Sequence, residues 1–77
     1  MITRTARREI DIHTFLSDMN KCTGKVFLET KTGDHFDLRS VFSRYILAAV
    51  IQNGMLPDDA TYTFEEEDLA ILSPYLD

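Results

Sequence analysis

Apolar residues crowd together between Val41 and Ile51, VFSRYILAAVI, where nine of eleven positions are apolar. The surrounding stretch Leu38 to Asn53 predicts a helix roughly 24 Å long at about 1.5 Å rise per residue, stopped by Asn53-Gly54 and capped by Asp37 or Ser40. A helix apolar nearly all round must be covered nearly all round. Successive residues step by roughly 100°, so Leu38, Phe42, Tyr45, Ile46, Ala49 and Val50 share one broad face, expected to lie on the rest of the domain. Leu47 and Ile51 fall on the other side, an apolar i, i+4 pair among Ser40, Ser43 and Arg44. They need a cover, either the chain's own C-terminal helix or a second copy across a two-fold axis.

Before this stretch, Ile12, Phe15, Leu16 and Met19 recur at helical spacing. Asp11 is placed to cap that first helix, Ile10 and Phe15 to staple its first turn, and Thr23-Gly24 to end it. Lys25 to Ser40 reads as a β-hairpin whose register follows from keeping apolar residues on one face. A three-residue loop, Lys31-Thr32-Gly33, sets Leu28 opposite Phe36 and Val26 opposite Leu38, with Gly33 in the left-handed position such a loop requires. The outer face then holds Lys25, Phe27 and Glu29 against Arg39, Asp37 and His35, with Phe27 expected to be covered by the C-terminal segment or by a partner.

Met55 to Asp59 is a connection, since Pro57 and two acids oppose a helix. Beyond it two readings compete for Thr63 and Phe64. Ala60 to Phe64 alternates as a short third strand would, with Tyr62 and Phe64 inward, whereas Thr63 and Glu66 have capping-box spacing that would run a helix from Phe64 to Leu72. The expected fold is a small α+β domain, α-β-β-α-(β)-α, with the hairpin packed against the central helix over residues 10–77 and a basic arm over residues 1–9.

Charge changes this picture more than composition does. The net charge is -5, yet residues 1–8 carry three Arg and no acid, and residues 54–77 carry seven acids and no Lys or Arg. Arg4, Arg7 and Arg8 are therefore expected to aid solubility or to contact the acidic end, and direct nucleic-acid binding is disfavoured for want of a concentrated basic surface. The run Glu65, Glu66, Glu67 and Asp68 suits a helix N-terminus, where negative charge is favourable. Alternatively it forms an acidic surface that competes for a nucleic-acid-binding site on another protein. At 77 residues the chain is one domain of modest stability. Cys22 alone fits a reducing, cytoplasmic setting, and no stretch reads as a membrane span.

Candidate chemistry is sparse. Glu29 across from His35 is an ordinary cross-strand pair, since zinc needs three or four ligands at recognisable spacing and His13, Cys22 and His35 supply none. Cys22, at a helix C-terminal end, is expected to be an inert small hydrophobe. Asp34 and Asp37 point to opposite faces of a strand, and phosphate-loop and nucleophile-elbow motifs are missing from the sequence. Neither catalysis, metal nor cofactor is expected.

Several residues carry a family likeness: Cys22-x-Gly24 after the first helix, Val26-x-Leu28 in a strand, Gly33-Asp34 in a turn, and Leu38-Arg39-Ser40 before the central helix. With these, Phe15 to Leu47 resembles a group of short bacterial proteins commonly labelled poly(A) polymerase. The resemblance implies a bacterial or phage origin. A nucleotidyltransferase needs Gly-Ser or Gly-Gly followed by paired metal-binding carboxylates, which this sequence does not have. Two functions follow as expectations: a non-catalytic interaction module, homodimeric through Leu47, Ile51, Ser43, Arg44 and Phe27, or a phage-type inhibitor acting on an unidentified nucleic-acid-processing protein through Glu65 to Asp68.

Overall fold

The computed structural model describes residues 1–51 and 53–77. Strand β1 (Ile2–Thr5) is followed by α1 (Ile12–Met19), β2 (Val26–Glu29), β3 (His35–Asp37), α2 (Val41–Val50), β4 (Thr61–Phe64) and α3 (Leu69–Leu72), with 3-10 turns at Glu66–Asp68 and Ser73–Tyr75 flanking α3. The α+β class is as the sequence implies, with an additional strand at its start. All four strands form one antiparallel sheet in the order β1-β4-β2-β3.

Local chemistry explains the first half of the chain. Asp11 accepts hydrogen bonds from the His13 and Thr14 amides at 3.1 and 3.4 Å, satisfying two of the donors that open α1. The β2–β3 pair has Leu28 opposite Phe36 and Glu29 opposite His35, and Leu38 donates its amide to Val26 at 2.8 Å. Thr30 and Asp34 close the hairpin, and Gly33 sits at φ +95°, a conformation costly for any residue with a Cβ.

β4 settles the competition for Thr63 and Phe64 in favour of a strand. It lies between β2 and β1, with Tyr62 and Phe64 fully buried, and the helical turns begin only at Glu66. A central strand has two rows of backbone groups to satisfy, and β2 supplies partners for one. The other is taken by Ile2 to Thr5, so the segment expected to be an arm is an edge strand of the sheet. Its β-branched residues suit that role. The chain end is tied to it: the Arg7 amide bonds the Tyr75 carbonyl and the Asp77 amide bonds the Thr5 carbonyl, at 2.8 and 3.0 Å. Arg8 meets the acidic half of the chain through Asp58 at 2.9 Å.

One sheet face builds the core. Val26, Leu28, Phe36, Tyr62 and Phe64 are buried together with Phe15 and Met19 from α1, Leu72 and Tyr75 near the C-terminus, and Leu47 from α2. The Phe15 ring lies 5.9 Å from Tyr62 and meets Tyr75 edge-on at 5.1 Å. Among the described residues no helix is long and apolar enough to cross a membrane.

Candidate functional site

The central helix turns the opposite way from the sequence expectation. Ser40 caps α2 by accepting from the Ser43 amide, and the helix ends at Val50, short of the expected stop at Asn53-Gly54, with Ile51 extended and Asn53 at φ +55°; of the expected last turn, Gln52 lies outside the described residues. Leu47 is 0% exposed and Ile51 packs against the core. Of the broad face expected inside, only Leu38, ahead of the helix, is buried; Phe42 and Tyr45 are 72% and 77% exposed, Ala49 is exposed, and Ile46 and Val50 are partly so, while Val41 beside them is 74% exposed. The physical reason is the sheet. With β1 and β4 present, the aromatic residues of β4 fill the space that a two-stranded hairpin would have left to α2, and the core admits one fully buried side chain from that helix.

The expected interface set does not converge on one surface. Leu47 lies within the core, Ser43 and Arg44 are half-buried on its flanks, and Arg44 donates to the Asn20 side chain. Phe27 is on the other side of the sheet, half-buried, its ring stacked on His35 at 4.9 Å. His35 also pairs with Glu29 at 3.4 Å, both side chains about half exposed.

What the exposed half of α2 presents is continuous. Around the helix, in order, stand Ala48, Val41, Tyr45, Ala49, Phe42, Ile46 and Val50, without a charged side chain among them. On the Ala48 side an open groove of ≈ 350 Å³ runs between α1 and α2, lined by Leu16, Asn20, Val41, Arg44, Tyr45 and Ala48. Exposed patches of this continuity mark interaction sites more often than isolated surface hydrophobes do.

The acidic run divides. Glu66 and Glu67 are exposed and Glu65 is half-buried, but Asp68 is 1% exposed and therefore is not part of an acidic surface. Its carboxylate accepts from the Thr23 amide and hydroxyl at 2.9 and 3.2 Å and from the Gly24 amide at 2.9 Å. Gly24 permits that approach, because a Cβ there would sit 2.8 Å from Glu65 Cγ. Arg39 grips the same loop from the other side, donating to the carbonyls of Cys22 and Gly24.

Burial alone would raise the Asp68 pKa, but the Thr23 and Gly24 amides, the Thr23 hydroxyl and the Arg39 charge outweigh it and hold the carboxyl below its ordinary range. Asp18 is lowered too, first by the Tyr75 hydroxyl that donates to it and then by Lys21. A carboxyl depressed in the folded state contributes stability above its unfolded pKa, about 3.9, and loses it as pH falls through the folded value. The urea midpoint is accordingly expected to fall as pH drops from about 5 toward 2, and Asp68→Asn should flatten that fall. Cys22 is buried, and its thiol is pushed up to about 11 by burial, with the charges of Asp68 and Asp18 adding to the rise and Arg39 opposing it. Such a thiol is a poor nucleophile at neutral pH.

Nothing in the local sequence marks Asp68, since its partners lie 45 and 44 residues away. The exposed α2 face had a signal in the surplus of apolar positions, and the side on which the surplus would emerge had none. Compared with models of protein families, with curated proteins and with solved structures, the chain matches none.

Proposed function

We propose that the chain is a small non-catalytic protein–protein interaction module that forms a homodimer through the exposed face of α2. The observation that carries this reading is the adjacency of Val41, Phe42 and Tyr45, each about three-quarters exposed. With their apolar neighbours they offer roughly 600 Å² per copy, so a pair would bury roughly 1,200 Å², the lower end of a stable interface. The chain carries a net charge of -5, so two copies would repel at most contacts. An uncharged helix face lets them meet without bringing acids together.

A membrane surface suits this face less well, because interfacial helices need a basic polar side and α2 carries only Arg44, which is bonded to Asn20. The acidic-inhibitor reading is weakened by Asp68, whose charge is spent on the Thr23-Gly24 loop.

Light scattering coupled to size exclusion is expected to give a dimer for the wild type at tens of micromolar. Tyr45→Glu should be a folded monomer that melts as the wild type does at concentrations too dilute for it to dimerise, its dimer weakened about a hundredfold or more by a charge set in the centre of the patch. A monomeric wild type under those conditions would remove the homodimer reading.

A further inference from the structure

We propose that the two copies associate with their α2 helices side by side and pointing the same way, so that the Phe42 ring of each enters the α1–α2 groove of the other. This rests on the homodimer reading above and adds the arrangement of the two copies and the side chain that anchors it. Three features of the surface lead there.

The first is that the face carries both a protrusion and a recess. Phe42 stands out at 72% exposure, and the ≈ 350 Å³ groove lies on the same half of the helix. The recess exists because Ala48 is small between Val41, Tyr45 and Arg44. A surface that bears a knob and a socket can satisfy both with an identical copy, whereas a single partner of another shape has to supply both complements.

The second is where knob and socket stand around the helix. About a midline through Tyr45, Val41 and Ala48 border the groove on one flank and Ala49 and Phe42 lie on the other, Ala48 and Phe42 each about 60° from Tyr45, with Ile46 and Val50 beyond Phe42. A two-fold axis parallel to α2 brings each flank against the opposite flank of its mate, so both rings meet grooves at once. With an axis perpendicular to α2 in the contact plane, the helices run antiparallel and like flanks meet. Phe42 would then face Phe42, and both grooves would stay unfilled.

The third is chemical. Most of the groove lining is apolar, yet Arg44 stands in its wall, its guanidinium held by the Asn20 side chain. A cation fixed beside an apolar recess favours an aromatic occupant over an aliphatic one of similar size. Among the exposed side chains of α2 on the flank away from the groove, Phe42 is the aromatic one.

The test uses two variants and their mixture, followed by sedimentation equilibrium and native mass spectrometry. Phe42→Ala removes the knob and keeps the socket; Ala48→Trp fills the socket and keeps the knob. Both positions are exposed, so both proteins should stay folded and melt as the wild type does at concentrations too dilute for it to dimerise. Each alone is expected to dimerise about a hundredfold more weakly than the wild type, because each loses both contacts. An equimolar mixture should form mostly the mixed dimer, recovering roughly tenfold or more in affinity through the one knob and socket that still match. A dimeric wild type whose Ala48→Trp variant dimerises equally well would overturn this arrangement and leave the homodimer reading standing, and so would a mixture showing no preference for the mixed species. A monomeric wild type would overturn the reading on which it rests.

Discussion

Leu47→Asp is expected to leave the chain unfolded at room temperature. Leu47 is fully buried, and it is the one fully buried side chain that α2 contributes to the core. Removing a buried leucine side chain costs about 2–5 kcal/mol, and placing a carboxylate in the same position adds several more unless it takes up a proton. Against a total stability near the low end of about 5–15 kcal/mol for a domain this small, the sum leaves no folded population. Far-ultraviolet circular dichroism and dispersion in a proton–nitrogen correlation spectrum report this directly. The contrast with Tyr45→Glu is what makes the experiment informative. Two residues apart on one helix, the first substitution should destroy the fold and the second should only separate copies. A Leu47→Asp protein that stayed folded but became monomeric would place Leu47 at a surface between molecules, contrary to its position here.

Asp68→Ala is expected to have the next largest effect, a loss of about 2 kcal/mol, read as a fall of roughly 10 °C in melting temperature. The carboxylate receives three hydrogen bonds from Thr23 and Gly24 and stands opposite the Arg39 grip on the same loop. Hydrogen bonds to a charged acceptor are about twice as strong as neutral ones. Their loss frees the segment between α1 and β2 from the turn that leads into α3, so the effect should be cooperative with global unfolding and should not appear as local fraying. Asp68→Asn keeps the shape and one acceptor, and should cost about half as much while removing the acid sensitivity of this site. Replacing the exposed Glu66 and Glu67 should leave the melting temperature nearly unchanged, because surface substitutions away from such contacts stay within about 0.5 kcal/mol. Equal losses from Asp68→Ala and from Glu66→Ala would show that the loop clamp contributes nothing of its own.

The features readable from the sequence are those whose causes lie within a few residues. The Asp11 cap depends on amides two and three residues ahead, and the hairpin register depends on matching Leu28 with Phe36 across a loop in which only Gly33 takes a positive φ without strain. The buried Phe15 and Met19 followed from helical spacing alone. Thr63 and Phe64 could be read either as strand or as the start of a helix, because a capping-box spacing and an alternating pattern overlap there. What decided between them was an open strand edge at β2, far away in the chain.

By itself, then, the sequence determined an α+β domain, the first helix with its cap, the hairpin with its register, and a central helix bearing more apolar surface than one small core can enclose. Tertiary structure alone decided that Ile2 to Thr5 complete the sheet, that Asp68 turns inward to clamp a loop 45 residues away, and that Leu47 faces the core while Phe42 and Tyr45 face solvent. The reason is the same in each case. A helix that is apolar almost all round carries no strong preference for one orientation of its own, and a strand edge or a carboxylate takes whichever partner the rest of the chain brings to it. Those choices are made by the shape of the space left when the other elements have packed.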